Sequence, residues 1–285
     1  MLFLILSILC SVTVGVIFKL SRNYTISVIQ IVSWNYLFAL VLCFFTFSPD
    51  LNAIDHTAPW SIYITLGILM PSIFIFLAAS IKHMGIVKTD AAQRLSLFIP
   101  LLAAWLIFKE DFNLLKITAF SIGLPALLLI LSKPAANTNN KWMYPAAVLI
   151  GFGVIDILFK QIALYTSLPF TSSLFVIFAI ALTLMIVTSL YDLMVRKTKL
   201  SAINILFGGL VGAFNFGNIL FYLKAHQAFA ENPSTVFAAM NMGVIILGSL
   251  LGILVFKEKM SKRNYVGLAL ALVSIVLIAL SQIYV

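Results

Sequence analysis

The chain has 285 residues, of which 62% are hydrophobic and only 9% are charged. A soluble domain is about 45–50% apolar and about 25% charged, so a water-soluble fold of this size is excluded, as are disorder and a disulfide scaffold. The net charge of +9 comes from basic residues at the ends of apolar runs, which is typical of a polytopic membrane protein and not of a nucleic-acid-binding surface.

A helix needs about 20 apolar residues to cross the roughly 30 Å hydrocarbon core of a bilayer. No alternating pattern suited to a transmembrane barrel is present, so the fold class is all-α. The first run lacks a basic leader and a small-residue cleavage site, and is therefore predicted to be a membrane helix. In chain order, the predicted transmembrane helices are 2–21, 28–47, 61–81, 91–108, 113–131, 142–165, 173–195, 203–224, 234–256 and 262–283.

A breaker-rich segment near the middle of the chain, 132–141, reads SKPAANTNNK and is predicted to be a linker. Two short matches relate the sequences on either side of it. Phe108-Lys109-Glu110 recurs as Phe256-Lys257-Glu258 at an offset of 148, and Phe18-Lys19 recurs as Phe159-Lys160 at an offset of 141. The sequence therefore predicts an internal duplication.

The duplication divides the ten predicted helices into two repeats of five, residues 1–131 and 142–285. Because five is odd, the second repeat crosses the membrane in the opposite sense to the first. Inverted repeats are typical of alternating-access transporters, which bind substrate near the midplane between the two halves.

These features resemble the drug/metabolite transporter superfamily, EamA type. The similarity is clearest over 232–278, and the first half shows the same scheme more loosely over 89–130. The resemblance implies a multi-pass carrier of small metabolites in the cell (inner) membrane, often an exporter. The first helix also resembles that of the small multidrug resistance family, but Ser11 stands where that family has its proton-coupling glutamate, and Phe152 stands at the repeat-related position.

The sixth helix contains a charge near its middle, Asp156, followed one turn later by Lys160. Charges inside a span are costly and mark functional sites by default. The spacing places both side chains on one face, where they can pair. The pair could bind the charged ends of a zwitterion, pass a proton, or only neutralise itself. Lys19 is closer to a helix end and is predicted to extend to the interface.

The eighth helix carries a polar stripe. Gly208, Gly212, Asn215, Tyr222 and His226 fall within about 80° on a helical projection, and Asn218 flanks them. The stripe predicts either a cavity wall or a close helix contact bridged by amides, at different depths. His226 lies near the helix end and is predicted to be interfacial.

Other polar residues complete the candidate substrate site. Arg94, at the start of the fourth helix, could hold an anionic group or simply lie at the interface. Asn241 is the counterpart of Gln93 at the 148 offset. Trp34 and Asn35 could stack on and bond to a substrate. The predicted binding residues are therefore Asp156, Lys160, Asn215, Asn218, Tyr222, Trp34, Asn35, Arg94 and Asn241.

A Gly248-x-x-x-Gly252 motif in the ninth helix predicts a close helix crossing.

The orientation of the bundle in the membrane is predicted from the charges of the connections between helices. Twelve basic residues lie on one side: Arg22, Lys82, Lys88, Lys133, Lys141, Arg196, Lys197, Lys199, Lys257, Lys259, Lys262 and Arg263. The positive-inside rule places this side in the cytoplasm and both termini outside, whereas the family resemblance implies the reverse.

We expect a secondary transporter of a small metabolite, such as an amino acid, with export as the expected direction. A coupling proton is a candidate second partner, and the sequence carries no signal for an oligomeric state. No phosphate-binding loop, cofactor motif or metal-ligand motif is present, and no ATP-driven pump is predicted. The alternatives are a membrane-embedded enzyme, for which no HExxH or GxSxG motif occurs, and a passive channel.

Overall fold

The structure is a computed structural model that describes residues 1–21, 24–50, 54, 58–84, 89, 92–93, 95–131, 143–165, 169–255 and 262–281. Within these residues the chain forms ten α-helices and no strand, which confirms the all-α fold class. The predicted linker 132–141, Arg94 and the second Phe-Lys-Glu motif at 256–258 lie outside the described residues. The helices are α1 (Leu2–Ser21), α2 (Val28–Phe47), α3 (Trp60–Met84), α4 (Phe98–Leu106), α5 (Leu114–Leu131), α6 (Met143–Leu164), α7 (Phe170–Met194), α8 (Ala202–Ala228), α9 (Pro233–Leu254) and α10 (Lys262–Leu280).

Seven of the described helices are long and apolar enough to cross a membrane: α1, α2, α3, α6, α7, α8 and α9. Large apolar side chains also face outward along the bundle, with Phe45 78% and Leu210 41% exposed. Such a surface is unfavourable in water and is expected where lipid tails surround the protein. The molecule is thus a multi-pass membrane protein.

The prediction of one continuous helix over 91–108 is wrong in its continuity. Described residues 92, 93 and 95 are helical, but a turn at 96 and 97 separates them from α4, which begins at Phe98 and has 9 residues. Pro100 has no N–H to donate to the carbonyl four residues earlier. The Ser96 carbonyl instead accepts the Ile99 N–H at 3.0 Å, which tightens the chain at Ser96 and Leu97. The result is an interrupted helix in the membrane-embedded part of the chain.

Hydrogen bonds between distant segments show which helix ends lie together. At the end of the bundle where the odd-numbered helices begin, the A end, Asn113 Nδ2 donates to the Ser281 carbonyl at 3.1 Å. At the opposite end, the B end, Gln30 Nε2 donates to the Lys199 carbonyl at 2.9 Å and Asn264 Nδ2 to the Leu129 carbonyl at 3.2 Å. These bonds place α5 antiparallel to α10 and the start of α2 beside the start of α8, as expected if successive helices alternate in direction.

The helices can be grouped as two bundles and one separate pair, and α2 of the first bundle also packs against α7 of the second. α8 packs against α1 and α2, and α9 packs against α1, which makes the first bundle. α3 packs against α6 and α7, and α4 packs against α6, which makes the second bundle. α5 and α10 pair with each other beside α9. Each bundle therefore contains two helices from each half of the sequence.

Close packing between α2 and α8 depends on glycine. A methyl group on Gly212 would lie 2.6 Å from the Asn35 carbonyl oxygen, and one on Gly208 would lie 2.9 Å from the Ile31 carbonyl oxygen. The predicted close contact of this stripe is confirmed. The corresponding prediction for Gly248 is wrong, because a methyl group there would meet nothing within 4 Å.

Candidate functional site

A cavity of about 700 Å³ lies between the two bundles. Its walls come from α1, α8 and α9 on one side and from α3, α6 and the segment before α4 on the other, so both sequence halves contribute. This volume falls within the range of about 300–1,000 Å³ that is typical of small-molecule sites. The described polar lining residues are Ser11, Lys19, Ser21, Gln93, Ser96, Asp156, Asn215, Asn218, Tyr222 and Asn241.

Asp156 is the only acidic side chain among the described lining residues. It projects from the middle of α6, and its Oδ1 accepts a hydrogen bond from the Tyr222 hydroxyl of α8 at 2.9 Å. Phe159 packs edge-on against the Tyr222 ring, with the ring centroids 6.2 Å apart. The bond joins the two bundles at the cavity wall, and it places the carboxyl group of Asp156 at the hydroxyl end of Tyr222.

The expected pairing of Asp156 with Lys160 does not form. Lys160 is fully buried, and its Nζ donates to the Ala230 carbonyl at 2.6 Å. The same ammonium group lies 5.8 Å from the centre of the Phe108 ring, within cation–π range. Lys160 is not among the residues that line the cavity. Carbonyl groups at the end of a helix have no hydrogen-bond partner within that helix. The Ala230 carbonyl, which follows α8, therefore accepts the bond from Lys160 that was expected to go to Asp156.

Three other predicted site residues, Asn215, Asn218 and Asn241, line the cavity. Two of them also link helices. Asn215 Nδ2 donates to Asn35 Oδ1 of α2 at 3.1 Å, and Ser7 Oγ of α1 donates to Asn218 Oδ1 at 2.8 Å. These amides therefore hold the first bundle together while presenting polar atoms to the cavity.

Trp34 and Asn35 are not among the lining residues. Asn35 is 1% exposed and meets α8 through Asn215, so it supports the wall from behind. Trp34 has its Cβ against Gly208, at the close contact between α2 and α8. Hydropathy and motif reasoning show that a side chain is embedded, but they do not show which way it points.

Sequence reasoning did not place Ser11, Lys19, Gln93 and Ser96 in the site, although all four line the cavity. Lys19 was expected to extend to the interface, yet it lies on the cavity wall near the end of α1. A usable signal was present for Gln93 and Ser96, because they lie seven and four residues before Pro100 in a predicted helix. Interrupted helices commonly form transporter sites.

His226, which was predicted to be interfacial, is covered by other side chains near the end of α8. His226 is fully buried, and its ring lies edge-on to Tyr222 and Phe237, with centroids 4.6 and 4.9 Å apart. Within the described part of the chain neither ring nitrogen has a hydrogen-bond partner. The His226 ring packs against the side of the Tyr222 ring that faces the A end. His226 therefore helps to position Tyr222, which donates a hydrogen bond to Asp156.

The cavity extends further towards the B end than towards the A end. Its walls include Ser21 at the last residue of α1, Ala78 near the end of α3 and Gly252 near the end of α9. Towards the A end, lining stops at Ser11 on α1 and at Met240 on α9. The described lining residues therefore lie nearer the B end than the A end.

The cavity can accommodate a small molecule that has a cationic group, hydrogen-bonding groups and an apolar part. Asp156 and the ring of Tyr222 are suited to a cation, while Asn215, Asn218 and Asn241 are suited to neutral polar groups. Apolar side chains such as Met70 and Val244 form much of the remaining wall. Among the described residues, no cluster of His, Cys, Asp and Glu suited to a metal ion occurs.

Comparisons with known proteins give three similarities. The family model for the EamA-like transporter family matches residues 1–132. A curated protein of Haemophilus influenzae, described as an uncharacterized protein, is 40% identical over 284 residues that cover 95% of each chain. A solved crystal structure is 15% identical and has a TM-score of 0.70 over 98% of this chain and 96% of that one, which shows a shared fold.

Proposed function

From the premise that the chain belongs to the EamA-like transporter family of the drug/metabolite transporter superfamily, we propose that it is a secondary active transporter of a small metabolite. The observation that carries the proposal is the cavity between the two bundles, built from both sequence halves and reaching towards one end. In this proposal all ten helices cross the membrane, and the protein moves its substrate instead of converting it.

The two halves, residues 1–131 and 142–285, act as inverted repeats joined by the linker 132–141. The helix contacts support this arrangement, because exchanging α1–α5 for α6–α10 maps the main pairs onto one another. The contact of α1 with α8 becomes that of α6 with α3, while the pairs α2–α7, α4–α9 and α5–α10 each map onto themselves. The end of the family match at residue 132 is also compatible with this division.

Transport proceeds by rocking of the two bundles around the cavity. A cavity that reaches one end becomes a cavity that reaches the other when the contacts between the bundles exchange. Substrate drives this step only through contacts that differ between the two states. The Asp156–Tyr222 hydrogen bond crosses from one bundle to the other, so a ligand that engages either group also affects the contact between the bundles.

The proposed substrate is a polar or amphipathic metabolite with a basic amine, such as an amino acid or a related compound, and the proposed direction is export. Asp156 binds the amine, and the neighbouring amides bind the remaining polar atoms. A coupling proton belongs to the same proposal, because one carboxylate on the wall can carry either the proton or the amine, but not both.

The proposed location is the cell (inner) membrane, with the B end in the cytoplasm. Described B-end residues Arg196, Lys197, Lys199 and Lys262 all belong to the basic side of the chain. In this orientation, the cavity in the structure reaches the cytoplasmic side.

The experiment is counterflow in proteoliposomes loaded with candidate amines and amino acids. A transporter gives saturable uptake of labelled substrate against a preloaded pool of the same compound, and Asp156→Asn lowers it. Linear, unsaturable flux would indicate a channel. Product formation without flux would indicate an enzyme.

A further inference from the structure

A buried charge cluster at the A end connects the two bundles. Glu110, in the connection between α4 and α5, is 4% exposed. Its Oε1 accepts a bond from Lys116 Nζ at 2.7 Å, and its Oε2 accepts the Ser234 backbone N–H at 2.8 Å. The Ser234 hydroxyl donates to the same carboxylate. Lys116 Nζ also donates to Asn232 Oδ1 at 2.5 Å.

Glu110 follows α4 of the second bundle, whereas Ser234 is the second residue of α9 in the first bundle. The N-terminus of a helix has unpaired N–H groups and a partial positive charge, so a carboxylate is favourable there. Glu110 thus occupies the start of α9 from the opposite bundle. A second contact joins the same bundles at this end, since Lys160 of α6 donates to the Ala230 carbonyl just before α9.

Burial makes these contacts sensitive to the loss of one partner. A buried ion pair gains little net stability because desolvation offsets the attraction, but an unpaired buried charge is strongly destabilising. When the A end opens, water can hydrate Glu110, Lys116 and the start of α9. The cluster is therefore stable when the A end is closed and readily separated when that end becomes wet.

We infer that Glu110 is the latch that keeps the A end closed while the cavity is open towards the B end. The inference rests on the proposed transport function and deepens it, because it names the contact that determines which side has access. Glu110 is a positioning residue: it contacts the start of α9 and Lys116, and it is not among the residues that line the cavity.

The test measures the separation of the bundles at the A end in the absence of substrate. Leu106→Cys at the end of α4 and Ala228→Cys at the end of α8 place spin labels on the two bundles at exposed positions. Cys10→Ser and Cys43→Ala remove the native thiols. We expect Glu110→Gln to raise the population with the long A-end distance by about tenfold, because charge loss weakens the closed state selectively.

Asn232→Ala removes only one contact of Lys116, and we expect a smaller shift in the same direction. This milder variant keeps the inference testable if Glu110→Gln does not fold. The matched control is Asp192→Asn. Asp192 is also 4% exposed, but its partners Arg196 and Thr198 belong to the end of α7 and the turn that follows, so its loss leaves the A-end distance unchanged.

A fall in melting temperature with an unchanged A-end distance distribution in both Glu110→Gln and Asn232→Ala would overturn the latch and leave a structural ion pair. The measurement needs no substrate. Its failure is therefore distinguishable from failure of the transport proposal, which would appear as the absence of saturable counterflow in the unaltered protein.

Discussion

Asp156 is an acidic residue in the apolar helix α6, where a charge is energetically costly, and its side chain lines the cavity. It lies on the wall of a cavity in the middle of α6 and receives its hydrogen bond from Tyr222. The neighbouring lysine does not neutralise it, because Lys160 bonds to the Ala230 carbonyl. An amine that enters the cavity would therefore meet a carboxyl group to which no cation of the described residues is bonded.

We expect Asp156→Asn to weaken substrate binding roughly ten- to a hundredfold, since a hydrogen bond to a charged group contributes about 1.5–3 kcal/mol. The amide oxygen still accepts from Tyr222, so expression and melting temperature are maintained. The measurement is the concentration dependence of counterflow. The control Asp192→Asn removes a buried carboxylate outside the cavity, and an equal loss in both variants would show that Asp156 is not a substrate contact.

Two glycines on the neighbouring helices α8 and α9 have opposite roles. Gly212→Ala places a methyl group 2.6 Å from the Asn35 carbonyl oxygen, and overpacking of this kind costs about 1–3 kcal/mol. We expect a lower melting temperature in detergent. Gly248→Ala places its methyl group in open space on the cavity wall, so the melting temperature is maintained and the apparent substrate affinity changes. Equal melting temperatures for both variants would contradict the packing at Gly212.

For individual residues, the sequence predicted which polar side chains line the cavity better than it predicted which groups those side chains contact. Asn215, Asn218 and Tyr222 were predicted as part of a polar stripe and Asn241 as a separate binding residue, and all four line the cavity. The partner of Lys160 could not be predicted, because helical spacing defines a shared face but not the distant carbonyl that approaches it. The position of His226 near a helix end likewise did not reveal that Tyr222 and Phe237 cover it.

Among the elements, the interrupted start of α4 is the feature most directly linked to the cavity. Gln93 and Ser96 face the cavity from this segment, and Pro100 is the reason the Ser96 carbonyl bonds to Ile99. The repeat-related position in α9 is Gly248, so the corresponding helix of the second half continues without this interruption. The two halves therefore present different backbones to the cavity.

We expect Pro100→Ala to restore a regular helix, because the new N–H can reach the Ser96 carbonyl. Gln93 and Ser96 then turn relative to the cavity, and transport falls several-fold while the melting temperature stays the same or rises. Initial counterflow rates and thermal unfolding measure the two effects. Pro125→Ala in α5 is the matched control, because Pro125 is not a lining residue.

Helix positions were predictable where hydropathy changes sharply at polar boundaries. The prediction of 28–47 coincides with α2, which begins after Ser27, whose side chain accepts the Gln30 N–H. The prediction of 91–108 missed the turn at 96 and 97, because the count of apolar residues does not register the missing N–H of Pro100. Patterns in the sequence report burial along a helix, whereas breaks depend on individual backbone hydrogen bonds.

At the scale of the molecule, the duplication makes a prediction about Glu258, which lies outside the described residues. Glu258 is the counterpart of Glu110 at the 148 offset. If the repeats are inverted, Glu258 is expected to keep the B end closed while the cavity is open towards the A end. We expect Glu258→Gln to shift the A-end distance distribution in the opposite direction to Glu110→Gln. A shift in the same direction for both variants would contradict the inverted relationship.

The division of the sequence into two halves did not predict which helices pack together in each bundle. Each bundle contains two helices from each half, because α8 joins α1 and α2 while α3 joins α6 and α7. The sequence predicted a cavity between two repeats, whereas the described contacts place it between two mixed bundles. The moving parts in the proposed transport cycle are therefore the bundles and not the repeats.

The most direct test of the account is a paired distance measurement across the two bundles. Leu106→Cys with Ala228→Cys reports on the A end, and Leu20→Cys with Met143→Cys reports on the B end; all four positions are exposed. Saturating a transported substrate should shorten the B-end distance and lengthen the A-end distance in the same sample. Distances that stay fixed at both ends, or that change in the same direction, would contradict the rocking of two bundles around a shared cavity.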